Sequence, residues 1–372
     1  MPKRVLLIAT VQSHIGQFHK PLMKLLKENG WVVHVAARDN LAEKNGLQLE
    51  YPDKVFSIPF RRSPFDPRNL KAYRMLKKQL RAEHYDVIHC NTPVGGILGR
   101  LAAQPYRKRG TKVYYTAHGF HFYKGAPKKN WLLYYPIEKF MSRFTDKLIT
   151  ITTEDYELAK RKFHCPVYHI HGVGANSEKY FPLSPEEQEA QKKALGLSGH
   201  IIVNVGELLP NKNQKTAILA MKKIIEQIPD TTLLIAGNGP ERENLEALVK
   251  EQGLENHVRF LGYTTELQKY LQVCDCEIAC SYREGLPLNV MEAMLCGKPV
   301  VASNNRGHRE LVKPGVNGYL VEPDDVDGFA ENLTQTLTDA GNMRNAAFES
   351  IKAYTAENIQ AELKNVFTMR ND

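Results

Sequence analysis

Short apolar runs recur along the chain, separated by longer amphipathic stretches. In the first half the runs fall at residues 5–10, 32–37, 55–59, 86–91, 113–118, 148–152 and 167–171. They are rich in Val, Ile and Leu without strict alternation, which predicts strands covered on both faces. Residues 16–29, 67–83, 92–109 and 129–144 read as helices between them. That rhythm predicts βαβ units and a parallel sheet. It lapses at 181–199, a polar stretch rich in acids, and restarts at 201–206, 232–237, 258–262, 277–281, 299–303 and 319–321. From Asp325 onward the chain reads as helix with no further strand.

Two doubly wound α/β halves follow from this pattern. A length of 372 residues also exceeds one ordinary core. The expected division is 1–181, 182–350 and a closing helix at 351–372. No short repeat appears, which excludes solenoids. No run approaches the ~18 apolar residues of a membrane span. The N-terminus enters a strand pattern without a cleavable leader, so a cytoplasmic protein is expected.

Charge adds an asymmetry. Residues 1–180 hold 31 Lys and Arg against 14 Asp and Glu, whereas 181–372 hold 19 against 27. A basic half joined to an acidic one implies that the basic half faces something anionic: lipid head groups, a phosphorylated acceptor or nucleic acid. The segment 123–144 mixes basic residues with Trp131 and several tyrosines, a composition suited to an anionic membrane surface. An ordinary helix packed on the sheet is the alternative. Cys274, Cys276 and Cys280 are close in sequence, but without a His or Cys pair at ligand spacing they read as buried thiols, not a metal site.

The chemistry concentrates in residues 281–303, SYREGLPLNVMEAMLCGKPVVAS. A turn opening a helix after a buried strand presents free N–H groups and the positive end of the helix dipole to an anion. Glu284 and Glu292 flank that turn, and eight residues along a helix are about two turns. Carboxylates accept hydrogen bonds from hydroxyls, so a phosphorylated, hydroxyl-rich ligand is expected. Lys212 lies in a loop ahead of another helix, within reach of phosphate, and Tyr263 follows a strand where it would meet a base. Each also has a plain reading, as a solvated lysine and a surface tyrosine. The turn at Gly237 and Gly239 lacks the third glycine of a dinucleotide fingerprint, with Arg242 in its place, which weakens a dehydrogenase reading.

GEL-x3-K from Gly206, IAGNGPE from Ile235, FLGY from Phe260 and REGLPLNVMEAMLCGKPVVAS from Arg283 occur in an order that resembles the C-terminal half of retaining GT-B glycosyltransferases of family 4, or group 1. Their E-x7-E signature is matched by Glu284 and Glu292. The first half is similar too, through SHIGQFHKPL, TAHGFHF and IEKF…ITITTEDY, most closely to bacterial exopolysaccharide and capsule transferases of the EpsD type.

The resemblance implies a GT-B fold: two Rossmann-like domains facing across a cleft, a basic acceptor domain first and a nucleotide-sugar domain second, with the last helix returning to the first. It implies that Glu292 holds the ribose, Glu284 the transferred sugar, and Lys212 with the N–H groups of Leu288 and Asn289 the diphosphate. Tyr263 would lie by the base, and Gly285 and Leu286 in the donor loop. His118 would lie by the sugar; His14, His19 and His121 have plain readings as packed or loop histidines. Where many relatives carry an arginine this chain has Glu207, leaving Arg283 or Arg306 to supply the charge. Of the glycines of the first loop only Gly16 remains.

The implied reaction is retaining transfer from a nucleotide-sugar, UDP-N-acetylglucosamine first, to an undecaprenyl-diphosphate-linked glycan at the inner membrane face. With no carboxylate nucleophile evident, a same-face displacement is expected, the departing diphosphate helping to deprotonate the acceptor. No Asp-x-Asp motif is read beside the diphosphate, so no cofactor or obligatory metal is expected. Two rivals remain: a sugar-nucleotide epimerase of the same architecture, and a polyanion- or nucleic-acid-binding protein, which lacks a recognition motif.

Overall fold

A computed structural model of the chain describes residues 2–43 and 47–368. It divides into two compact units. One runs to Gly174 and takes in the segment from Ala356; the other is Ala175–Thr355. The first change of unit falls earlier than residue 181, because Ala175 bridges Thr355 and Tyr180 is buried in the core of the second unit. The return falls after Thr355, later than residue 350.

The first unit contains β1 (Arg4–Val11), β2 (Val32–Arg38), β3 (Lys54–Ser57), β4 (Val87–Asn91), β5 (Lys112–Ala117), β6 (Lys147–Thr150) and β7 (Val167–His169). They form one parallel sheet in the order β3-β2-β1-β4-β5-β6-β7. The winding reverses between β1 and β4, so the loops at their carboxyl ends frame a crevice.

The second unit contains β8 (His200–Val205), β9 (Thr231–Ala236), β10 (Val258–Gly262), β11 (Cys276–Ala279), β12 (Val300–Ser303) and β13 (Gly318–Val321), parallel in the order β10-β9-β8-β11-β12-β13. Its switch point lies between β8 and β11. Ile202, Leu233, Ile278 and Val301 join one apolar cluster, whereas Ile201, Leu234, Ala279 and Val300 join another. Both faces of the sheet are therefore covered, which is why the strands read as continuous apolar runs.

Two local expectations change. The single helix read at 16–29 is two, Gln12–Phe18 and Lys20–Glu28, broken at His19. Pro21 has no N–H for a carbonyl one turn back, and sits comfortably only at the start of a helix. The polar stretch 181–199 contains a helix, Pro185–Ala194. Ser184 Oγ accepts from Glu187 N at 3.2 Å while Ser184 N donates to the Glu187 carboxylate at 2.8 Å, a reciprocal cap that starts it. The cysteines match their expected reading as buried thiols: Cys276 and Cys280 belong to one core cluster and Cys274 to the other.

The last helix, Ala356–Thr368, belongs to the first unit, as the resemblance implied. Glu362 accepts from His171 N at 2.9 Å and pairs with His171 Nδ1 at 2.6 Å, and Phe367 sets its ring against His89 and Tyr114.

Candidate functional site

In the second unit the loops after β8 and β11 meet at the switch point. A short 3-10 turn, Pro210–Lys212, raises Lys212, whose Nζ donates to Glu284 Oε1 at 2.6 Å. Glu284 stands on the loop ahead of the helix Leu288–Leu295, not within it, so the two signature glutamates are not two turns apart on one helix. Gly307, in the helix Arg306–Leu311, holds this loop by close approach. A Cβ there would lie 2.6 Å from Gly285 O and 2.9 Å from Glu284 Cβ. Gly285, Leu286, Leu288 and Asn289 are half-buried along the turn.

The helix Leu288–Leu295 starts after Pro287 with no side chain capping it. The N–H groups of Leu288 and Asn289 have no carbonyl within the helix to bond, and the dipole adds positive potential. The Asn289 side chain points back into the unit, its Nδ2 donating to Glu277 Oε1 at 2.7 Å.

Glu292 lies one turn into the helix and takes a hydrogen bond from the Tyr180 hydroxyl. Burial pushes the Glu292 carboxyl up to about 7. A third carboxyl, Glu277 on β11, is fully buried, and its Oε2 has no hydrogen-bond partner. Burial first, with the nearby charges of Glu292 and Glu284 adding to it, pushes Glu277 up to about 8, so it is a neutral acid at pH 7. Glu277 and Tyr180 escaped the sequence reading. A lone acid inside the apolar run CEIA was the signal for the first; Tyr180 lies far from Glu292 in sequence and gave none.

Arg283 and Glu207 are exposed, and Arg306 is buried. Tyr263, directly after β10, is 54% exposed. Asp325 and Asp327 do have the Asp-x-Asp spacing, but Asp325 caps the helix Val326–Thr338 by accepting from Gly328 N, and Asp327 pairs with Lys223.

In the first unit the expected histidine follows β5. His118 Nε2 is 3.2 Å from His19 Nε2, and its ring meets that of His14 edge-on at 4.5 Å between centroids. His89, on β4, packs edge-on against His19 and is bonded at Nε2 to Thr116 Oγ1, 2.7 Å away. Burial pushes His118 down to about 4 and His89 down to about 3. His14 and His19 are held well below the usual histidine range by burial and then by their neighbours. All four are neutral imidazoles at pH 7.

A cavity of about 270 Å³ adjoins this cluster, lined by His14, His118, His121 and a mainly apolar wall that includes Phe65, Phe122 and Tyr134. Beneath it Arg100, fully buried, donates to Glu138 at 2.8 Å and stacks on the Tyr115 ring. Gly16 lies inside the first helix, where a Cβ would meet Gln48 O and Leu47 at 3.5 Å, ordinary contact distance. His121 stacks on Tyr134.

The helix Lys128–Met141 turns Trp131, Tyr134 and Tyr135 inward against the core, which leaves Phe140 as the aromatic residue of this helix on its outward face. That face carries Leu132, 80% exposed, Leu133 and Phe140 among Lys128, Lys129 and Arg143. Among the described residues no helix is long and apolar enough to cross a membrane.

Comparison with known proteins places these features in context. The family description "Glycosyl transferases group 1" matches residues 185–353, and "Glycosyl transferase 4-like" matches residues 4–152. The chain is 46% identical over 339 residues to the putative glycosyltransferase EpsD of Bacillus subtilis, covering 90% of this chain and 87% of that protein. It is 32% identical over 280 residues to the UDP-Gal:alpha-D-GlcNAc-diphosphoundecaprenol alpha-1,3-galactosyltransferase of Escherichia coli, covering 73% of this chain and 71% of that one. Among solved structures, Anabaena Alr3699/HepE in complex with UDP and glucose superposes with a TM-score of 0.77 at 21% identity, covering 98% of this chain and 99% of that one.

Proposed function

The chain belongs to the group 1 glycosyl transferases, with the GT-B fold, and on that footing we propose that it is a retaining enzyme that moves a sugar from a UDP-linked donor to a lipid-linked glycan. UDP-N-acetylglucosamine is the first donor to try. The acceptor is an undecaprenyl-diphosphate glycan presented at the inner membrane face, in exopolysaccharide or capsule synthesis. The name of the Escherichia coli relative, with its UDP-sugar and diphosphoundecaprenol acceptor, supports both classes.

The observation that carries the reading is the Lys212–Glu284 pair at 2.6 Å beside a helix start with unfilled N–H groups. A diphosphate bound at that start draws Lys212 toward its oxygens, which frees Glu284 to accept hydrogen bonds from the sugar. Glu292 and Tyr180 form the polar grip for the ribose. Negative charge grows on the leaving diphosphate as the glycosidic bond breaks, and Lys212 with the N–H groups of Leu288 and Asn289 is fixed in place to meet it. His118, neutral, orients the sugar through a ring nitrogen. The diphosphate accepts the acceptor proton on the same face, so the scheme uses no carboxylate nucleophile and no metal.

The exposed Leu132 and Phe140 among basic residues support peripheral contact with anionic lipid. A thermal-shift panel of UDP-, GDP-, ADP- and TDP-sugars tests the donor class, since a bound ligand stabilises by mass action. Stabilisation by UDP-sugars above the others is expected. A response to GDP- or TDP-sugars alone overturns the donor assignment, and interconversion of a UDP-sugar without acceptor makes the chain an epimerase.

A further inference from the structure

Three imidazoles converge at the carboxyl edge of the first sheet from separate parts of the chain. His14 lies in the helix after β1, His19 at the break between two helices, and His118 directly after β5. One ring nitrogen of each lies within 4.8 Å of those of the other two. The His19 and His118 Nε2 atoms are 3.2 Å apart. Around a tetrahedral ion with nitrogens at ~2.0–2.1 Å, two ligand atoms stand about 3.3–3.4 Å apart, so this pair already has ligand spacing. His14 Nε2 is buried and makes no hydrogen bond. Buried polar atoms are nearly always partnered, and an orphan in a cluster of lone-pair donors points to a missing acceptor of those lone pairs. A void of about 10 Å³, room for one water or one ion, is lined by His19 and His118 but not by His14.

We propose that His14, His19 and His118 bind a divalent transition-metal ion of the zinc class, with one coordination position left open. The donor set is all imidazole, which suits zinc, nickel and copper and not the oxygen-seeking magnesium or calcium. Small ring rotations, chiefly of His14, close the remaining spacing. The ion is not needed for sugar transfer. It ties up the His118 lone pair that orients the sugar, so its binding slows transfer. This second half rests on the proposed function; the metal site itself does not.

Equilibrium dialysis of the full chain against zinc is expected to show one ion held through this cluster. Affinity should fall by at least about tenfold in His14→Ala and His14→Gln, each checked for folding by circular dichroism and melting. His19→Gln removes a different ligand, is expected to do the same, and decides the matter if the His14 variants fold poorly. Cobalt in place of zinc reads the geometry, through the visible absorption of a four- or five-coordinate ion that the same variants abolish. Absence of binding by folded wild type, or equal zinc affinity in wild type and variants, overturns the site. Transfer assays over the same zinc range should show half-inhibition shifted at least about tenfold upward in His14→Ala, measured against its own metal-free rate. Zinc bound through His14 without inhibition overturns only the inhibitory half. A chain that binds zinc yet transfers no sugar overturns the transferase reading and leaves the site in place.

Discussion

The Lys212 ammonium is held 2.6 Å from the Glu284 carboxylate, each side chain less than a quarter exposed. The pair joins the loop after β8 to the loop after β11 across the switch point, and it fixes the lysine before any phosphate arrives. Both partners keep some solvent, so the bond contributes about 1 kcal/mol or less to stability. Its value lies in position.

Lys212→Ala is therefore expected to lower turnover roughly 100-fold, the usual scale for losing one charged stabiliser of a leaving group. The melting temperature should move little. A steady-state assay beside a thermal melt checks both, and near-normal turnover would sink the role given to Lys212.

Donor affinity should depend on pH through Glu292. Its carboxyl is pushed up to about 7 in the free protein, while ribose hydroxyls are best accepted by the ionised form. Below about pH 7 the proton must leave on binding, so affinity weakens by up to tenfold per pH unit. Calorimetry with UDP should show this slope in wild type and a flat, weaker profile in Glu292→Gln. A slope that persists in the variant assigns it elsewhere.

Glu277 makes an opposite kind of contribution, to stability. Its folded value, about 8, lies above the ordinary carboxylate value of 4.5. Between these two the unfolded chain has lost the proton and the folded chain keeps it, so stability falls as pH rises through that window and levels off above about 8. The buried histidines work the other way: held below 6.5, they cost stability as pH falls beneath that value. Glu277→Gln removes the carboxyl but keeps an acceptor for Asn289. Denaturant melts at pH 5 and pH 8 should show the variant gaining on wild type toward pH 8, by about 1–3 kcal/mol, a few pKa units reduced by relaxation. An equal difference at both pH values would contradict the neutral-acid assignment.

Replacing both Leu132 and Phe140 with Glu should weaken sedimentation with anionic vesicles severalfold and leave UDP affinity unchanged, since neither belongs to the unit that carries Lys212, Glu284 and Glu292. Binding of wild type should also weaken with salt, as screening requires. Vesicle binding unaltered by the double change would remove this helix from the membrane contact.

Activity should survive exhaustive chelation. Loss in chelator, restored by magnesium, would require an ion beside the diphosphate that the scheme omits.

The strands were legible because burial on both faces leaves a continuous Val, Ile and Leu signal, and every one of the thirteen apolar runs is a strand. The helix break at His19 was also written in the sequence, in Pro21, but the apolar spacing on both sides masked it. Lys212, Glu284 and Glu292 were legible as a motif, yet their arrangement was not. The turn belongs to a loop, and the packing of Gly307 beneath it, with the bond from Lys212, fixes where Glu284 stands. The histidine cluster was the least legible part. His14, His19, His89 and His118 come from four segments, and nothing in their spacing announces that three strand ends bring them together.

The chain leaves the first unit at Gly174 and re-enters it at Ala356, and these crossings lie side by side. Ala175 pairs with Thr355, and a side chain at Gly174, whose φ is +85°, would meet Ala356 Cα at 2.7 Å. The second unit is thus an insert with adjoining ends, spliced into a first unit that closes around its own last helix. A chimera cut once near the middle would strip that helix from its partner. Exchange of residues 175–355 as a cassette between relatives keeps both cores whole, and donor preference that travels with the cassette would assign donor binding to that unit.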